Sequence, residues 1–193
     1  MRDNILDYSK RLSDAIERVD ESSLIAATSL ILNTIINDGT IYVCGNGGSL
    51  SLSEHLMCDV AKGLHYDASF NPKVNAITSS SIVTAIANDI GYEDIFSFQL
   101  KMSAKSKDIL IVISASGNSP NIVKALRTAH DIGMTSIGMC GFDKGKVGEL
   151  ADIVLYTGET NYGIIEDSHS ALMHIIAQSL RKDFHNKKKE LKL

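Results

Sequence analysis

The 193-residue chain has no tryptophan, two prolines and three cysteines. The cysteines, Cys44, Cys58 and Cys140, are scattered and odd in number, with no C-x-x-C spacing. That argues against a disulfide framework and against a cysteine zinc site. No apolar run reaches the length of a membrane span and no signal peptide is recognisable, so a soluble, cytoplasmic protein is expected. There is no basic surplus either. The formal charge is -4 and the pI about 5.8, so no nucleic-acid-binding face is expected. A bound phosphate would have to be held by backbone amides and hydroxyls. A linker rich in Pro, Gly or Ser is also missing, and so is an internal repeat, which leaves one domain over 1–193. What remains is an ordinary globular composition, 44% hydrophobic and 22% charged, in a chain long enough to bury about 70% of its unfolded surface.

Apolar spacing predicts two helices in the first 38 residues, a helical extension suited to oligomer contacts. Ile5, Leu12, Ile16 and Val19 mark the first, and Leu24, Ile25, Ala27, Leu30, Ile31, Ile35 and Ile36 the second. Asp38-Gly39 stops it. Short apolar runs then alternate with helix-like stretches. The runs are Ile41–Cys44, Val74–Ile77, Ile109–Ile113, Ser136–Met139 and Ile153–Tyr156. The helix-like stretches cover 49–62, 81–87 with 92–104, 119–132 and 144–150, and a last helix covers about 166–185. This alternation predicts an α/β fold with a five-stranded parallel sheet covered on both faces. Residues 186–193, rich in lysine, read as a flexible basic tail.

Ligands of such sheets bind beyond the carboxyl ends of the strands. The first run is followed by Gly45-Asn46-Gly47-Gly48-Ser49 and the second by Thr78-Ser79-Ser80-Ser81. After the third comes Ser114-Ala115-Ser116-Gly117-Asn118-Ser119, and after the fourth Gly141-Phe142-Asp143-Lys144-Gly145. Hydroxyls, glycines and helix N-termini are the uncharged means of holding a phosphate. A dinucleotide fingerprint fails because Leu50 stands where the third glycine belongs and no acid ends the second run. A Walker A loop fails for want of Gly-Lys-Ser/Thr.

His55 and Asp59 are one helical turn apart and share a face. Glu166 and His174 lie two turns apart at the start of the last helix. Two histidines and two carboxylates form an N/O set suited to zinc or another divalent ion, if the fold unites them.

Cys44 to Ser49, Ala87-Asn88-Asp89-Ile90-Gly91-Tyr92, Ser114 to Ser119, Gly141 to Gly145 and the helix carrying His174 occur in order. Together they resemble the phosphosugar-isomerase (SIS) domain family, and within it the phosphoheptose isomerases, over nearly the whole chain. The resemblance implies a three-layer sandwich, a homotetramer with active sites between subunits, and isomerisation of sedoheptulose 7-phosphate to the aldose through an enediol. It assigns substrate contacts to Asn46, Gly47, Gly48, Asn88, Asp89 and Glu166. The phosphate cradle falls to Ser114, Ala115, Ser116 and Ser119, with Ser49 nearby. It implies a divalent metal, zinc, on His55, Asp59, Glu166 and His174, with Asp59 and His174 as acid/base.

Three positions depart from that pattern. Asp59 stands for a glutamate, which shortens the reach of the base by one methylene. Glu166 stands for a glutamine and adds a negative charge. Gly163 stands for an aspartate. The run Leu50-Ser51-Leu52 is also unusual there. These changes leave the cradle intact and alter the reacting end. An isomerase for another sugar phosphate, or a non-catalytic protein of this fold that binds the replication initiator DnaA, is therefore the alternative expectation.

Overall fold

The computed structural model describes residues 1–191. Two helices lead, α1 (Arg2–Glu17) and α2 (Glu21–Ile36). Five strands follow, β1 (Thr40–Gly45), β2 (Lys73–Ala76), β3 (Ile109–Ser114), β4 (Thr135–Cys140) and β5 (Ile153–Tyr156). The remaining helices are α3 (Gly48–Ala68), α4 (Ser80–Asp89), α5 (Ser97–Ser103), α6 (Pro120–Ile132), α7 (Gly145–Leu150) and α8 (Tyr162–Leu191). All strands pair in parallel, in the order β2-β1-β3-β4-β5.

The alternation of each strand supplies two cores. Ile41, Val43, Ile109, Ile111, Ile137 and Met139 point to one face, where α2, α3 and α8 pack with Ile31, Leu56, Leu64, Leu172 and Leu180. Tyr42, Cys44, Leu110 and Val112 point to the other, against Phe96, Leu100, Ile122, Leu126 and Val147. β3, at the centre, is buried at every position. That is why its sequence is a continuous apolar run rather than an alternating one. Full burial of one such side chain is worth about 1.5–3 kcal/mol.

The predicted strands hold to within a residue or two at their ends. Asp20 accepts from the Ser23 amide at 2.8 Å and caps α2. Gly133, with φ +87°, caps α6 in the left-handed region. Three helical boundaries differ from expectation. The stretch expected over 49–62 continues six residues further, to Ala68. The stretch 92–104 is a 3-10 turn at Tyr92–Asp94 followed by the short α5. The last helix starts four residues earlier than expected, at Tyr162, and continues to Leu191. It thus takes in most of the segment read as a basic tail, of which residues 192–193 lie outside the described residues. Among the described residues, no single helix is long and apolar enough to cross a membrane.

Candidate active site

The strand order reverses between β1 and β3, so the loops leaving these two strands diverge and open a crevice. A cavity of about 150 Å³ lies there, lined by Asn46, Ser49, Ser114, Ala115, Ser116, Ser119, Tyr162 and Glu166. The β3 loop is built to be tight. The Gly117 amide donates to the Ser114 carbonyl at 3.0 Å, and its own carbonyl accepts from Val147 at 2.9 Å. Gly117 has φ +67°, and a Cβ there would collide with the Lys144 carbonyl. Only glycine fits. Ser119 is the N-cap of α6 but makes no side-chain capping bond, and Pro120 follows it in the first turn. Its hydroxyl therefore remains available beside the helix N-terminus, a natural place for an anion.

The β1 loop is held from the other side. Asn46 and Asn121 exchange side-chain amide hydrogen bonds at 2.9 and 2.8 Å, and the Tyr92 hydroxyl donates to the Asn46 oxygen at 3.1 Å. A Cβ at Gly48 would stand 3.0 Å from both carboxylate oxygens of Glu166. The absence of a side chain at 48 thus lets α8 bring a carboxylate to the cavity. That carboxylate is the only formal charge among the residues lining it.

The residues expected to act as acid and base form a second cluster, between α3 and α8. The Asp59 carboxylate lies 3.0 Å from His174 Nδ1 and 3.7 Å from His55 Nε2. The two imidazoles meet edge to face, with centroids 4.9 Å apart. Ligand atoms of His55, Asp59 and His174 all lie within 4.8 Å of one another. Two imidazoles and a carboxylate suit zinc or a similar ion. The three side chains are only partly buried, at 48%, 22% and 42% exposure, so ligand can reach them.

The structure thus brings together three of the four expected metal residues. Glu166 is not in that group. It sits eight positions before His174, about 12 Å along the helix axis, and faces Gly48 and the cradle instead. Asn88 and Asp89 also stand apart from the cavity. They are exposed at the end of α4, with the Asn88 amide donating to Asp89 at 2.8 Å. The Thr78–Ser81 loop does not line the cavity either, because β2 is the edge strand beyond β1. The Phe142–Asp143 loop lines a larger neighbouring cavity of about 520 Å³ with Ser116, Asn118, Thr160 and Tyr162.

Three contributors were not foreseen. Asn121 is fully buried and orients Asn46. A polar residue on the inward face of α6, next to the cradle, was the signal for it. Tyr162 borders both cavities and packs on Phe142 at 5.0 Å. Glu159, buried beside the start of α8, receives Arg11 of α1 at 2.7 and 3.2 Å and the Thr160 and Asn161 amides. These bonds, Arg11 first, pull its carboxyl down to about 2. Gly163 also gains a reason. A Cβ there would stand 3.1 Å from the Tyr8 hydroxyl, which reaches over to donate to Asp167 at 2.7 Å.

Residues 6–141 match the SIS domain family model. A phosphoheptose isomerase of Helicobacter pylori (strain P12) is 33% identical over 182 residues, covering 94% of each chain. That of Chlorobaculum parvum is 34% identical over 178 residues, 89% of this chain and 83% of its own. The solved phosphoheptose isomerase of Neisseria gonorrhoeae superposes with a TM-score of 0.86 at 28% identity, over 94% of this chain and 96% of its own. The chain belongs to the SIS domain family and, within it, to the phosphoheptose isomerases, which are aldose–ketose isomerases by class.

Proposed function

We propose that the chain converts sedoheptulose 7-phosphate into D-glycero-D-manno-heptose 7-phosphate, with Asp59 and His174 as the acid/base pair. The observation that carries this reading is the 3.0 Å contact between Asp59 and His174, on helices that also border the hydroxyl-lined cavity. The phosphate sits against Ser114, Ser116, Ser119 and Ser49 and the α6 N-terminus. It supplies binding energy remote from the reacting carbons. Asp59 removes a proton from C1 of the open-chain ketose while His174 protonates the C2 oxygen, giving the enediol. His174 then takes the proton from the C1 hydroxyl, and Asp59 returns its proton to C2, leaving the aldehyde at C1. Each residue ends as it began, so the cycle closes without an outside acid or base.

The donor set of His55, Asp59 and His174 fits a divalent ion, zinc by ligand type. When bound, such an ion polarises the substrate oxygens. Glu166 faces the substrate side, and as a fourth ligand it would have to turn away from Gly48. Exposed apolar residues on α1, α2 and α8, Ile5, Leu6, Ile25 and Ile175, support assembly into a homotetramer. The exposed Asn88 and Asp89 fit a role at a neighbouring subunit's site. The reading carries a cytoplasmic location with it.

A coupled assay with sedoheptulose 7-phosphate, run beside a panel of shorter ketose phosphates, tests the substrate. Turnover of a shorter sugar alone would move the assignment to another sugar phosphate. No turnover of any, with capture of DnaA, would replace it with the non-catalytic reading.

A further inference from the structure

The contact between Asp59 and His174 depends on how α3 and α8 are set against each other. These two helices pack closely against each other on the same face of the sheet. Four residues beyond Asp59 on α3 is Gly63, and seven beyond His174 on α8 is Arg181. Both pairs of positions repeat along one helical face. Arg181 lies directly over Gly63. A Cβ at 63 would stand 2.5 Å from its Nε and 2.8 Å from its Cζ and Nη2.

From there Arg181 Nη2 donates to the Asp59 carbonyl at 3.4 Å, and its Nε lies 3.8 Å from an Asp67 carboxylate oxygen. The Nε is buried and has no hydrogen-bond partner. A guanidinium left short of one bond is not placed there for its own satisfaction, since an unpaired buried donor costs free energy. Its position is fixed by the missing side chain at 63 and by the backbone of Asp59. A small cavity of about 130 Å³ there is bordered by Asp59, Lys62, Gly63, Tyr66, Asp67 and Arg181.

We infer that Arg181, seated on Gly63, is a positioning residue for the Asp59–His174 pair. It clamps the turn of α3 that carries Asp59 onto α8, one contact below the reacting pair, and so sets the distance between base and shuttle. Because Asp59 has a short side chain, its carboxylate cannot make up a shift of the backbone by extending. The inference rests on the proposed acid/base roles for its catalytic consequence, but its geometric content stands without them.

The test uses Arg181→Met, Arg181→Lys and Gly63→Ala in the full chain. In Arg181→Met, kcat is expected to fall about tenfold or more while KM stays within about twofold, as for a small misplacement of a reacting group. Arg181→Lys, which keeps a donor for the Asp59 carbonyl, is expected to recover most of that loss. Gly63→Ala separates positioning from folding. Alanine favours a helix over glycine, so the variant should fold at least as well, yet its methyl group displaces Arg181 and should lower kcat as Arg181→Met does. Crystal structures of wild type and of the two disrupting variants supply a readout independent of turnover. The Asp59–His174 contact should lengthen beyond hydrogen-bond distance in both variants. Retention of that contact would overturn the inference whatever the activity. A wild type inactive on every ketose phosphate would instead overturn the isomerase reading, and the crystal structures would still decide the role of Arg181.

Discussion

The proposed cradle at the ends of β1 and β3 and the proposed acid/base cluster between α3 and α8 are built in opposite ways. The cradle is local. Ser114 to Ser119 fold on themselves within six residues, braced by amides of the following segment: Gly141 to the Ala115 carbonyl, Val147 to the Gly117 carbonyl and Lys146 to the Asn118 side chain. The cluster is long-range. Asp59 and His174 are 115 residues apart in sequence and meet only because two helices pack on the same face of the sheet. A local loop tolerates little change in its residues, since its shape is its sequence. A cluster between helices keeps its residue types and can still lose its geometry. The positions read as departing from the family pattern, Asp59, Glu166 and Gly163, all fall on α3 and α8 and none in the β1 and β3 loops, although Glu166 borders the cavity those loops enclose.

The sharpest way to break this contrast is at the cluster. Asp59→Asn and His174→Ala should each lower kcat by about 10²–10⁴, with KM much less affected, in the coupled assay. Unchanged turnover in both would remove the acid/base assignment. Next is the cradle. Gly117→Ala forces a left-handed φ and a clash with Lys144 on a residue with a Cβ, a strain of about 1–3 kcal/mol. It should raise KM by about tenfold or more, with kcat less changed. If kcat and not KM responds, the cradle and the cluster are one unit and the contrast fails.

A third test concerns a buried histidine of α8. His169 is buried, and burial pushes it down to about 4. The Cys140 backbone opposes that shift but lies outside hydrogen-bond geometry. The folded state therefore resists a proton that the unfolded chain accepts below about 6.5. Its contribution is fully present above pH 6.5 and is lost as pH falls toward 4, by about 3 kcal/mol at most. Urea denaturation between pH 7 and 4 should show that slope, and His169→Asn should flatten it. The smallest effect is expected at Glu166. Its carboxylate borders the cavity proposed to hold the phosphate, so Glu166→Gln should tighten inorganic phosphate by a few fold, an effect on the order of 1 kcal/mol. Calorimetric titration of wild type and variant would measure it. Weaker binding in the variant would place Glu166 among the groups that hold the ligand.

The same contrast explains what could be read from the chain alone. Ile109 to Ile113 announced a strand because both its faces are buried, and Ser114 to Ser119 announced a hydroxyl-rich loop because its chemistry is contained in its own residues. His55 and Asp59 were visible as one face of a helix. Their union with His174 was not, since no spacing within one helix says which other helix will face it. The resemblance to a family supplied that link. Glu159 and Tyr162 escaped notice for a related reason. Arg11 reaches Glu159 from α1, 148 residues away, and nothing local marks a carboxylate as the partner of a distant arginine. Asn88 and Asp89 were grouped with the cavity by motif, whereas α4 leaves them on the surface.

Helix α8 carries Glu166 at the cradle and His174 at the reacting pair. On the proposed reading it would act as a ruler for the substrate. Eight residues at about 1.5 Å each set a fixed span of about 12 Å between the end beside the proposed cradle and the end proposed to move protons. Sugar length would then be selected by helical rise, and not by the shape of any one pocket. Changing the preferred chain length would require shifting the two ends by a whole turn, since a single inserted residue would swing His174 about 100° away from Asp59.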